Sequence, residues 1–182
     1  MKLVPSLLSS RAADKYIARI NDTIDEQRKM LPWDAIRSIV FLVDGSSPEK
    51  LRLLLNHLWQ YQSNGKKVHV IGFTKKLPPF EDDGIFWFNN KLTDWKGIPA
   101  ATVLKAATLK HPDILVNVAN PGVRPLHYLA ALTPSILRIA PYNASIKKYY
   151  DCLLSGSIGV EGFLQQMEQF LGTFNQPAHA SV

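Results

Sequence analysis

Apolar positions in this chain fall into two kinds of pattern, and the two alternate. Over residues 6–29, Ala13, Ile17, Ile20 and Ile24 recur at helical spacing, with Arg11, Lys15, Arg19, Asp22 and Glu26 as a mixed polar face. This predicts an amphipathic helix, which Leu31-Pro32-Trp33 ends. Its narrow stripe must lie against the chain's own body or a second copy; the polar face is not basic enough for a membrane surface. Ser38–Val43 is a continuous apolar run, as expected of a strand buried on both faces. Asp44-Gly45-Ser46-Ser47-Pro48-Glu49 then opens a helix, capped by Ser46 with Glu49 or by Ser47 before Pro48. Its core face is Leu51, Leu54, Leu55 and Leu58, and Asn64-Gly65 closes it. Lys67–Phe73 reads as the next strand.

The rest repeats this alternation. Residues 74–84, with Pro78, Pro79 and the acidic run Glu81-Asp82-Asp83, read as loop. Ile85–Phe88 is a short strand near an edge, followed by an irregular stretch in which Trp95 is expected against the body. A helix opens at Ile98-Pro99 and carries Val103, Leu104, Ala107 and Leu109. Asp113–Ala119 is a strand, and a helix with Leu126, Leu129, Ala130 and Leu132 follows Asn120-Pro121-Gly122. Ser135–Ile139 is the last strand, and a final helix holds Phe163, Leu164, Met167, Phe170 and Leu171. Strands alternating with helices predict a three-layer α/β sandwich of about five mostly parallel strands behind an amphipathic N-terminal helix. The division expected is residues 1–33 as helix and linker, 34–174 as the α/β domain and 175–182 as a flexible tail.

Composition narrows the class. The chain has 182 residues, 46% hydrophobic and 20% charged, which is enough apolar material for one core. Cys152 is the single cysteine, so no intramolecular disulfide forms and a reducing compartment fits. No apolar run reaches membrane-spanning length, and a cytoplasmic protein without membrane association is expected. The net charge is +6. Residues 97–150 hold Lys105, Lys110, Arg124, Arg138, Lys147 and Lys148 against Asp113 alone. That excess is either a solvated surface or an anion-binding face.

In parallel sheets of this kind, ligands bind beyond the carboxyl ends of the strands. One such loop is Asp44-Gly45-Ser46-Ser47, whose carboxylate and hydroxyls either hold a phosphate or Mg²⁺ or simply cap the helix. A second runs from Asn117 through Asn120 and Gly122 to Arg124, offering amides and a guanidinium to an anion. A basic and aromatic patch of Arg138, Tyr142, Asn143, Lys147, Lys148, Tyr149 and Tyr150 either stacks on bases or locks a loop onto the core. Thr74-Lys75-Lys76 is a smaller basic turn. Neither GxGxxG nor GxxxxGK[ST] occurs, and Ser46 stands where a dehalogenase-type motif needs a second aspartate. No histidine pair has metal-ligand spacing, no G-x-S-x-G elbow is present, and the apolar context of Cys152 predicts an inert thiol. No catalytic residue, metal or cofactor is expected.

Asp113-Ile114-Leu115-Val116, Arg124–Leu132, Leu137-Arg138-Ile139, Tyr142-Asn143 and Tyr149–Leu154, taken with Val68–Phe73 and the Asn89–Trp95 segment, resemble a family of small α/β proteins from Bacteroidota, a domain of unknown function. The similarity covers residues 10–172. It implies a Rossmann-like domain behind a basic N-terminal helix in a bacterial cytosol, and it supplies no catalytic residues. This chain departs from the family in a less basic N-terminal helix and in Ala140-Pro141. The layout is also similar to one half of a two-domain glycosyltransferase, an analogy of fold alone. The expectation is a non-catalytic binding or protein-interaction module, partnered by a second copy or another protein through the N-terminal helix. The alternatives are an enzyme binding a nucleotide, nucleotide sugar or other small phosphorylated ligand, and an RNA-binding accessory protein; nucleic acid is disfavoured.

Overall fold

The computed structural model describes residues 5–24, 29–75, 78, 84–108, 111–156 and 159–175. The elements in chain order are α1 (Pro5–Ile24), β1 (Ser38–Asp44), α2 (Pro48–Ser63), β2 (Lys67–Phe73), β3 (Ile85–Phe88), α3 (Ala101–Thr108), β4 (Ile114–Asn117), α4 (Arg124–Leu132), β5 (Leu137–Pro141), β6 (Cys152–Leu154) and α5 (Gly159–Gly172). The strands form one sheet in the order β3-β2-β1-β4-β5-β6. Every pairing is parallel. This is the doubly wound Rossmann-like order, and its direction of growth reverses between β1 and β4.

Because strand side chains alternate, each central strand feeds two cores. Val40, Leu42, Ile71 and Leu115 face one layer, built by Ala13 and Ile17 of α1, Val103 of α3 and Leu126 and Leu129 of α4. Ile39, Phe41, Val43, Ile114 and Val116 face the other, built by Leu51 and Leu54 of α2 and Phe163, Leu164 and Met167 of α5. The Ser38–Val43 run is therefore buried on both faces, as the pattern required. Gly72 is set opposite Trp87 in the β2–β3 register. A Cβ on Gly72 would lie 2.3 Å from the indole, so only glycine lets that ring lie across β2.

The structure corrects several expectations. Among the described residues there are six strands where about five are expected from the sequence: β6 is three residues long, too short to show alternation. It is fixed from outside by Asp151, whose backbone and carboxylate both bond Arg138 of β5. Helix α3 starts at Ala101, because Ile98 and Pro99 belong to a turn closed by a Thr93–Pro99 bridge. Strand β5 lies two residues later than expected, at Leu137–Pro141. Trp95 is not against the body but 72% exposed. Of the α1 stripe, Ala13 and Ile17 are buried beside α4 and Ile20 is half-buried against the same cluster. Burying an Ile side chain contributes about 1.5–3 kcal/mol, which helps hold α1 on the body. Lys76, the run Glu81–Asp83, Leu109 and the tail from 176 lie outside the described residues, as do the side chains of Asp22, Ile24 and Glu26. Among the described residues no helix is long and apolar enough to cross a membrane.

Candidate functional site

The reversal of strand order sets the carboxyl ends of β1 and β4 side by side. At the end of β1, Asp44 accepts three hydrogen bonds: Ser46 N to Oδ1 (2.9 Å), Ser46 Oγ to Oδ2 (2.7 Å) and Asn120 Nδ2 to Oδ2 (3.0 Å). The two loops singled out from sequence are thus joined, by a contact spanning 76 residues. Gly45 donates its N–H to Phe73 O of β2 and packs under Trp87. Ser47 is the N-cap of α2, without a side-chain cap bond, and Pro48 occupies the first turn.

Behind this pair lies a buried polar chain. Asn117 is 1% exposed, and its Oδ1 accepts Ala119 N at 2.9 Å. Its Nδ2 donates to the Tyr150 hydroxyl (2.5 Å), which donates to His127 Nδ1 (2.5 Å). His127 Nε2 then donates to Asn120 O (3.2 Å), so this pattern puts the ring proton on Nε2. Burial holds the His127 pKa below its ordinary value of 6.5, against the raising effect of the Asn120 and Pro121 carbonyls. Burial likewise pushes the Tyr150 hydroxyl well above its usual range. The chain fixes the Asn120 loop from below.

Two cavities open at this edge, on opposite sides. A small one of about 220 Å³ lies toward α2 and α5, with Asp44, Ser47, Lys50 and Asn120 at its polar rim. A large cleft of about 970 Å³ lies toward α1 and α4. It is formed by segments following β2, β3, β4 and β5, together with α1. Four cations line it, Lys75, Lys96, Arg124 and Lys148, against two carboxylates, Asp14 and Asp94. Asp14 accepts the Tyr149 hydroxyl and the Lys148 ammonium, each at 2.5 Å. Burial, reinforced by that bond to Asp14, pushes the Tyr149 hydroxyl well above its usual range. Burial also raises the pKa of Tyr128, and the Asp14 charge adds to it.

The residues expected at one site therefore divide. Asp44, Ser47 and Asn120 line the small cavity; Gly122 and Arg124 line the cleft. Gly45, Ser46 and Asn117 line neither. Of the basic and aromatic patch, Lys148 and Tyr149 reach the cleft and Lys147 is exposed beside them. Tyr142 is 62% exposed, and Asn143 Oδ1 closes a turn by accepting Ser145 N and Oγ. Arg138, 2% exposed, is fully engaged inside: Nη2 and Nε donate to the two Asp151 oxygens (3.0 and 3.2 Å) and Nη1 to Ala131 O. With Tyr150 also buried, neither residue can stack on a base or meet a phosphate at the surface. Lys75 belongs to the basic turn noted in the sequence. Asp14, Asp94, Trp95, Lys96, His127 and Tyr128 were not marked as site residues. The only signal for Asp14 was its place on the polar face of α1, and nothing local shows that this face borders a cleft.

The profile of a family of unknown function, DUF6913, matches residues 10–174. The chain belongs to this family. No curated protein matches it. The matched span takes in every strand and all of the cleft lining, so both cavities are built from family sequence. Among the described residues no cluster of three or more His, Cys, Asp and Glu is placed to hold a metal ion. Cys152 is outside both cavities, and burial, with the Asp151 charge, raises its thiol pKa.

Proposed function

We propose that this family member is a binding module whose cleft takes a small phosphorylated ligand, without itself turning it over. The observation that carries this reading is the convergence of Lys75, Lys96, Arg124 and Lys148 on one cleft of about 970 Å³ at the carboxyl edge of a parallel sheet. That is where ligands of doubly wound folds bind, and the volume suits a small molecule. Arg124 begins α4, whose N-cap, Val123, contributes no side-chain bond, and the positive end of the helix reinforces the guanidinium. A raised thiol pKa at Cys152 and neutral, raised tyrosines supply no activated nucleophile, which favours binding over reaction. The lone, half-buried Cys152 also supports a cytoplasmic setting.

Titration calorimetry with inorganic pyrophosphate at low ionic strength tests the reading. Binding is expected, weakening as salt rises, and Arg124→Ala should lower affinity by about tenfold, the equivalent of one charge-assisted contact. Lys50→Ala, on the far cavity, should leave it unchanged. Absence of binding at low salt, or equal losses in both variants, would remove the reading.

A further inference from the structure

The cleft carries one feature that phosphate binding does not use. Trp95 lines it yet leaves 72% of its surface in solvent, one of the two most exposed large hydrophobic side chains among the described residues. The segment presenting it is tightly built. Asp94 Oδ1 accepts Lys96 N (2.8 Å) and Ile98 N (2.9 Å), Asp94 N donates to Ile98 O, and Gly97 N donates to Asp94 O. The Thr93–Pro99 bridge and the Ala100 N to Leu92 O bond close its base. Gly97 turns at φ +85°, and its Cα side lies against Tyr128. A turn held by this many bonds presents its indole in advance. Lys96 follows directly, with Nζ 5.4 Å from the Trp95 ring and 5.5 Å from the Tyr16 ring of α1. A flat aromatic face and a cation thus stand together at the rim, with Arg124 and Lys148 in the same cleft.

From this juxtaposition we propose that the phosphorylated ligand is a free nucleotide, its base stacked on Trp95 and its phosphates among Lys96, Arg124 and Lys148. This rests on the phosphate reading above and specifies the ligand class. Stacking on an aromatic face tolerates any base, since each has a π surface, so the platform alone predicts little base preference. The ring is exposed and belongs to neither core cluster, so its replacement should leave the core intact.

Calorimetry and tryptophan fluorescence with ADP, GDP, UDP and pyrophosphate, on wild type, Trp95→Ala and Trp95→Phe, decide the matter. The nucleotides should bind about tenfold tighter than pyrophosphate and quench fluorescence. Trp95→Ala should lose that advantage while keeping pyrophosphate affinity, and Trp95→Phe should keep most of it. Pyrophosphate binding with no gain from a base would overturn the nucleotide assignment and leave the phosphate reading standing. No binding of any probe would overturn both. Tighter binding of a ten-nucleotide RNA than of the mononucleotides would overturn the free-nucleotide assignment in favour of a strand.

Discussion

Asp151 shows how one side chain settles what an arginine is for. Its carboxylate takes both Arg138 Nη2 and Nε, and Arg138 N donates to the same carboxylate at 2.8 Å. The side chains are 3% and 16% exposed, so the pair is largely removed from water. Such a pair adds little over an apolar replacement, but removing one partner strands the other charge, which costs about 3–5 kcal/mol. Asp151→Ala should therefore lower the unfolding free energy in urea by about that amount, whereas Arg138→Met with Asp151→Leu should recover a large part of it. A single variant as stable as wild type would contradict this account. From sequence, Arg138 counted toward a basic surface, because its neighbours Lys147 and Lys148 are basic and its partner stands 13 residues away. Composition counts charges; it does not show which of them are neutralised inside.

Elements differ in how much of them local pattern can reveal. The run at β1 was legible because a strand buried on both faces must be apolar throughout, and the α2 stripe was legible because four leucines mark one face. β6 was not, since three residues carry no period and its position depends on Asp151. The place of α1 was half legible: the stripe gave the helix and its need for cover, but not that α4 supplies the cover or that Asp14 would border the cleft. Asp14 now gives α1 a role at the proposed site. It holds Lys148 and Tyr149, with side-chain exposures of 29% for Asp14 and 51% for Lys148, so the ion pair itself contributes about 0–1 kcal/mol. It also occupies a cation that an incoming phosphate would use. Asp14→Asn keeps an oxygen for the Tyr149 hydroxyl and removes the charge. The melting temperature should hardly move, while pyrophosphate affinity should rise about threefold, the effect of one charge removed a few ångströms away in high dielectric. A fall in affinity would show that Asp14 supports the site rather than competing in it.

At the scale of the whole molecule, the buried chain through Asn117, Tyr150, His127 and Asn120 ties β4, α4, the approach to β6 and the Asp44 loop into one unit. The sequence marked Asn117 and Asn120 for an anion because they end a strand, and could not show that the fold uses Asn117 to orient a histidine ten residues on. Since that histidine is 1% exposed and its bonds cross between elements, its protonation is linked to global unfolding. Folded His127 has a pKa below 6.5, the ordinary value it regains when unfolded. Above pH 6.5 both states are neutral and the contribution to stability is full. As pH falls below 6.5, the unfolded chain binds a proton that the folded chain refuses, and stability declines until the folded pKa is reached. One such group gives a slope of at most about 1.4 kcal/mol per pH unit. Thermal unfolding between pH 5 and 8 should show a melting temperature level above pH 7 and falling on acidification. His127→Gln can still accept from Tyr150 and donate to the Asn120 carbonyl without titrating, so it should flatten that acid limb even if it is less stable at pH 7.5. An acid limb of unchanged slope in His127→Gln would assign the pH dependence to other groups and remove His127 as its source.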